Sequence, residues 1–292
     1  MRIVSLLPSA TEILFAIGAG DQVAGVTHEC DFPREATERP ALTSSLLPAE
    51  LDAAGIDRHV RASVHAGSSL YGLDDKKLAA LEPDLIVTQE LCAVCAVSYQ
   101  VVDRAAKRLK GDPRVVSLEP SSLEDVFATI ALLGRLTGTQ RGADGLIARL
   151  RARVAALRAR VAARARTRAL VLEWTDPPMS AGHWTPELVE LAGGEAMLGD
   201  PGRNSRTLEW AAIERSAPGV VIVAPCGYDI EKAEDAARTL PLAFDRLYAV
   251  DGNALVNRPG PRLVDTAEVF AAIFADEPLD ATVARSVAPL RR

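Results

Sequence analysis

Residues Arg141 to Arg166, RGADGLIARLRARVAALRARVAARAR, decide the fold. The stretch holds no proline and no interior turn signal after Gly145, so it predicts one uninterrupted helix about 30 Å long. Arg and Ala recur in it at helical spacing, which reads as a solvated helix face rather than a phosphate-binding arm. Upstream to Leu123 the periodicity is also helical, broken near Gly138 to Gly142, and no strand signal falls between Leu123 and Arg166.

On both sides of this stretch short strands alternate with helices. Before it, the pattern predicts strands at 3–7, 23–27, 85–88 and 115–118, and helices at 8–17, 74–81 and 97–109. After it, strands are expected at 170–173, 220–224 and 247–250, with helices at 186–192, 208–215 and 263–274. Such alternation predicts mainly parallel sheets covered by helices. The expected architecture is α/β: two Rossmann-like lobes, residues 1–120 and 167–292, joined through a helical linker, 121–166, by a single long backbone helix. A chain of 292 residues suits two such cores better than one.

Composition excludes little but does exclude something. A hydrophobic content of 48% with 25% charged residues is ordinary for a soluble globular protein. The net charge of -6 gives no reason to expect nucleic acid. No run of about twenty apolar residues predicts a membrane span. Met1-Arg2-Ile3-Val4-Ser5-Leu6-Leu7-Pro8 enters a strand at once, without a basic start, long apolar run and small-residue cleavage site, and this predicts a cytoplasmic protein with reduced thiols.

The four cysteines stand out. Cys30 follows the strand before His28-Glu29, Cys92 and Cys95 follow Leu85–Gln89, and Cys226 follows Val220–Pro225. Each lies just past the carboxyl end of an apolar strand, the edge where open α/β sheets bind ligands. Cys92 and Cys95 are spaced for a redox dithiol or half of a tetrahedral metal site, and His28 adds an imidazole beside a thiol. Cys30, Cys92, Cys95, Cys226 and His28 are therefore candidate metal ligands; plain core packing is the competing account, since free cysteine is often buried. His59 and His65 carry no such frame and read as solvent-facing or structural.

A second cluster follows the first strand of the second half. Glu173-Trp174-Thr175-Asp176-Pro177-Pro178 leads into Gly182-His183-Trp184-Thr185-Pro186-Glu187, a dense set in a chain that is only 4% aromatic. Trp offers a flat apolar wall, and His or carboxylate can orient a polar ligand or a metal. The alternative is that Trp174 and Trp184 close the core and His183 caps the next helix. Near the end, Asn257-Arg258-Pro259-Gly260-Pro261-Arg262 stiffens a strand-to-helix loop carrying two guanidinium groups, suited to an acidic ligand or to lobe packing. No Walker-type phosphate loop and no G-x-S-x-G nucleophile elbow occurs.

Ser5-Leu6-Leu7-Pro8-Ser9-Ala10-Thr11-Glu12, Val23-Ala24-Gly25-Val26 and Leu81-Glu82-Pro83-Asp84-Leu85-Ile86 resemble the helical-backbone substrate-binding proteins for cobalamin and ferric siderophores. Asp176-Pro177-Pro178 followed by Glu187-Leu188-Val189-Glu190-Leu191-Ala192-Gly193-Gly194-Glu195 is similar to the cobalamin-binding kind. The resemblance covers nearly the whole chain. It implies two α/β lobes bridged by a rigid helix, with a ligand held between them. Where the cobalamin binder offers a glutamate to its permease, this chain has Ala96-Val97-Ser98-Tyr99. With the cysteines, Gly182-His183-Trp184 and the Arg258–Arg262 loop, it looks like a cytoplasmic subfamily of cobalamin-binding type.

The expected function is binding of a metal-containing ligand, cobalamin or a related corrinoid or metal chelate, in the cleft between the lobes. Tyr71, Trp174 and Trp184 would wall it; Arg258 and Arg262 would meet acidic groups; His183 or a thiol would approach the metal; Glu173 and Asp176 would also bind the ligand. The alternative is a metalloenzyme that carries an iron–sulfur cluster or zinc on the four thiols, with Glu173 or Asp176 as acid or base. The fold alone does not choose between them.

Overall fold

The structure is a computed structural model that describes residues 1–48, 51–65, 69–89, 99–109 and 111–290. The chain divides into two compact units, one of Met1–Glu119 with Phe127–Ile147 and one of Pro120–Val126 with Ala148–Arg292.

In the first unit β1 (Ile3–Ser5), α1 (Pro8–Ala16) and β2 (Val23–Gly25) form the opening βαβ. Next come β3 (Thr43–Ser45), α2 (Ala53–His65), β4 (Tyr71–Leu73), α3 (Asp75–Leu81), β5 (Leu85–Thr88), α4 (Tyr99–Ala106) and β6 (Arg114–Ser117). The sheet has the order β2-β1-β5-β6, and its neighbours are all parallel. β3 and β4 form a separate antiparallel ribbon, tied to the end of β2 by a bridge between Val26 and Ala41. Local chemistry marks the helix ends. Asp74 caps α3 by accepting from the Lys77 N–H at 2.9 Å, and Glu82 in the left-handed region, followed by Pro83, closes it. Val4, Leu6, Leu42, Leu78, Ile86 and Val102 pack as one buried cluster, each such side chain contributing about 1.5–3 kcal/mol on burial.

α5 (Leu123–Thr137) and α6 (Gln140–Val161) fill the strand-poor stretch. α6 runs from the first unit into the second, and no strand interrupts it. Leu146, Leu150, Val154, Leu157 and Val161 form its buried stripe, while Arg149, Arg158 and Arg160 are exposed, the solvated face that the spacing predicts. The helix stops at Val161 rather than Arg166. Arg166 there turns its guanidinium onto the Gly194 carbonyl.

The second unit holds β7 (Thr167–Thr175), β8 (Pro178–Ser180), α7 (Thr185–Leu191), β9 (Gly194–Ala196), β10 (Arg206–Thr207), α8 (Trp210–Ser216), β11 (Val220–Val223), α9 (Ile230–Arg238), β12 (Leu247–Val250), α10 (Leu263–Ala275) and β13 (Val287–Leu290). The sheet order is β10-β8-β7-β11-β12-β13, with β9 also on β7. β9, β7, β11 and β12 run parallel, and the two edges are antiparallel. Leu170, Leu172, Val221, Val223, Leu247 and Ala249 bury one face against Ile213, Ala233 and Ala237. Arg153 of α6 ties the helix to α10 through Asp265 and Glu268.

The sheets therefore match the expected α/β architecture. The pairings β3–β4 and β7–β8–β10, the helices α2 and α9 and the edge strand β13 go beyond the elements read from the sequence.

Candidate functional site

In each sheet the connections reverse direction around one strand. β1 lies between β2 and β5, and β7 lies between β9 and β11. At such a switch the loops leave in opposite directions and open a crevice at the carboxyl edge. The candidate residues distribute over these two edges, each of which belongs to its own unit.

At the first edge the loop after β2 carries His28, Glu29 and Cys30. His28 is exposed, and its Nδ1 sits 2.7 Å from the Thr43 hydroxyl on β3. Its ring meets that of Tyr71, on β4, at 5.7 Å between centroids. The Tyr71 hydroxyl donates to Glu29 Oε1 at 3.2 Å. The ribbon thus fixes two half-exposed or exposed rings and a carboxylate on one surface. Cys30 has a different role. Its thiol is buried between the hydroxyls of Thr11 (3.1 Å) and Thr27 (3.2 Å), and Thr11 in turn donates to Ser5 at 2.8 Å. That network sits at the start of α1 and holds the loop to the helix.

At the second edge the loops after β7, β11 and β12 meet. Trp174 is 9% exposed, donates from its indole N–H to the Asp176 carbonyl at 3.1 Å and meets the Tyr228 ring edge-on at 5.3 Å. Trp184 is 7% exposed and donates to the Val256 carbonyl at 2.8 Å, pinning a five-residue π-turn, Gly252–Val256, that follows β12. The two tryptophans are supports for this edge, not exposed walls. A dense aromatic motif at a strand end looks the same in sequence whether its rings face in or out. The half-exposed ring here is Tyr228, which the sequence reading passed over; its signal was its place two residues past Cys226 in the same strand-end loop.

His183 is half-buried with its backbone at φ +49°, its ring stacked on Trp184 at 5.6 Å. Its backbone N–H donates to the Arg203 carbonyl at 2.6 Å. It is not the helix cap, since the cap position falls on Trp184. Its Nδ1 is buried with no hydrogen-bond partner among the described residues, and burial lowers its pKa. The Glu173 carboxyl takes a bond from the Gly182 N–H at 3.4 Å and one from Ser205, but burial is the larger influence and raises its pKa. Asp176 is exposed. Arg258 is buried and donates to Asn253 Oδ1 at 2.9 Å. Arg262 is half-buried at the start of α10. Cys226 is half-exposed, its N–H donating to the Glu173 carbonyl at 3.1 Å.

The expected thiol–imidazole metal site is not assembled among the described residues: no group of three or more His, Cys, Asp or Glu there is disposed to hold a metal ion. Cys30 and Cys226 fall in separate units, and Cys92 and Cys95 lie outside the described residues. Spacing past a strand end brings a thiol to the right edge of a sheet, but hydroxyl partners, as at Cys30, satisfy it equally well. His59 is half-buried and His65 exposed on α2.

A family profile described as periplasmic binding protein matches residues 3–240. The chain belongs to that family. An ABC transporter substrate-binding lipoprotein of Bacillus subtilis, YvrC, is 24% identical over 286 residues, covering 94% of this chain and 80% of that one. The vitamin B12-binding protein of Yersinia pestis is 25% identical over 285 residues, covering 95% and 87%. A periplasmic heme-binding protein from Pseudomonas aeruginosa shares the fold with a TM-score of 0.73 at 19% identity, covering 100% of this chain and 98% of that one. These relatives overturn the expected cytoplasmic location, for they include a lipoprotein and a periplasmic protein. Among the described residues no helix is long and apolar enough to cross a membrane.

Proposed function

We propose that this protein is the substrate-binding component of an importer, acting outside the cytoplasmic membrane, and that its ligand is a flat metal-containing tetrapyrrole, with a corrinoid such as cobalamin ahead of a porphyrin. The observation that carries the ligand class is the same at both carboxyl edges: aromatic rings are presented at the surface and held there by neighbours. Tyr71 and His28 are fixed by Glu29 and Thr43, and Tyr228 by Trp174. A pre-fixed ring contributes a large contact area at low entropic cost, which suits a rigid, flat, amphipathic ligand. The full-length likeness to a vitamin B12-binding protein supports the same class. A cluster-bearing or zinc-bearing enzyme would instead need a converging set of thiolates or imidazoles.

The test is an absorbance titration of the wild-type protein and of a variant with all four cysteines replaced by serine, each with cyanocobalamin and with haemin. Binding of one macrocycle by both proteins, with affinities within about tenfold, supports the proposal. Binding by neither protein, or binding abolished in the four-serine variant, contradicts it.

A further inference from the structure

The half-exposed ring of the second edge, Tyr228, sits in the loop after β11, and one neighbouring segment grips that loop along its length. The segment is the turn Gly252–Val256 with Asn257 behind it. The Asn257 side chain donates from Nδ2 to the Ala224 carbonyl, one residue past β11, at 2.9 Å. The Asn253 N–H donates to the Tyr228 carbonyl at 3.1 Å. Between these bonds Gly252 lies against the loop. A Cβ there would stand 2.2 Å from the Pro225 carbonyl oxygen, so the approach needs glycine.

The grip is itself anchored. Asp251 caps the turn by accepting from the Ala254 N–H at 2.7 Å, and the Trp184 indole holds its far end through the Val256 carbonyl. Arg258 donates to Asn253 Oδ1 at 2.9 Å. On the other side, the Cys226 N–H reaches the Glu173 carbonyl of β7, and Trp174 meets the Tyr228 ring edge-on. The loop that presents the ring is therefore bonded to the strand end or turn on either side of it. A strand-to-helix loop free to move would have to be ordered when a ligand bound, at a cost in affinity. Here the order is built into the fold.

We propose that Asn257 and Asn253 are positioning residues, which hold the loop of Tyr228 in its ligand-contacting conformation and act on the ligand only through that ring. This rests on the tetrapyrrole reading, which makes Tyr228 a contact, and adds to it the residues that keep the contact in place.

The test is a double-mutant cycle. Wild type, Asn257→Ala, Asn253→Ala, Tyr228→Ala and the two doubles with Tyr228→Ala are titrated with cyanocobalamin and with haemin. For the macrocycle that the wild type binds, Tyr228→Ala is expected to weaken affinity about tenfold and Asn257→Ala about threefold or more. Once the ring is gone, Asn257→Ala should cost less than about 1.5-fold, because its effect passes through Tyr228. In the ligand-free proteins, hydrogen exchange over residues 224–229 should be faster in Asn257→Ala than in wild type. Should Asn257→Ala not fold, Asn253→Ala carries the same cycle, since it keeps the backbone bond to Tyr228 and loses only the acceptor for Arg258. Full affinity in Asn257→Ala or in Tyr228→Ala, equal losses with and without the ring, or unmoved exchange would overturn the inference and leave the tetrapyrrole reading standing. Binding of neither macrocycle by the wild type would end both.

Discussion

Glu173 shows how one side chain at the candidate site couples to stability. It is a carboxyl whose folded pKa is raised, chiefly by burial and against the pull of its bonds from Ser205 and Gly182. An acid raised in this way leaves the native state fully stable below the ordinary carboxylate pKa, and stability is lost as pH rises through the folded value. Glu173→Gln keeps the acceptor and removes the titration. The variant is expected to match the wild type near about pH 4 and to exceed it increasingly toward about pH 8, measured by urea denaturation across that range. A gap that closes with rising pH would contradict the assignment. His183 acts in the opposite sense, since burial lowers its pKa and its stabilising contribution fades as pH falls. Comparing variant with wild type at each pH cancels that part. Neither behaviour was legible in the sequence. Glu173 precedes Trp174 and looked like a ligand-facing carboxylate; what decides its state is its burial in the fold, against the bond from Ser205, thirty-two residues away in sequence.

Elements were legible where their own residues carry the pattern. The strands Leu85–Thr88 and Leu247–Val250 fall where their apolar runs predict. α6 is helical through the whole region between Gln140 and Val161, because its apolar residues repeat at three- and four-residue spacing. The ribbon β3–β4 was not legible, since Thr43 pairs with Leu73 across a long intervening segment and three-residue strands carry no periodicity of their own. The ribbon matters most at the first edge, for it is what brings Tyr71 to His28. α6 also shows what close packing of an element demands. A Cβ placed on Gly142 would lie 2.2 Å from the Ile17 carbonyl oxygen, a backbone atom that cannot swing aside. Gly142→Ala should therefore lift the start of α6 off α1 and cost about 1–3 kcal/mol, or more if the helix end fails to reseat. Chemical denaturation measures this, and a change below about 0.5 kcal/mol would show that the contact is looser than described.

At the scale of the whole molecule, the chain is two α/β units with a helix running from one into the other, and a periplasmic binding protein profile matching residues 3–240 places it in that family. Alternating strands and helices around a strand-free stretch make this architecture legible in the sequence. The thiols read as one converging site when only the local frame of each is visible; among the described residues no such group assembles, and Cys92 and Cys95 lie outside them. Cys30 bonds to Thr11 and Thr27 within its own unit, and the carboxyl edges present partly exposed rings, Tyr71 and Tyr228. The central claim is that those surfaces bind a tetrapyrrole as cargo, without the thiols assembling a metal centre. Isothermal calorimetry of the wild-type protein with cyanocobalamin tests this most directly. The account predicts saturation at one macrocycle per chain, with a thermal midpoint that climbs as free ligand exceeds its dissociation constant. No heat of binding with cyanocobalamin, repeated with haemin and accompanied by an unmoved thermal midpoint, would contradict it.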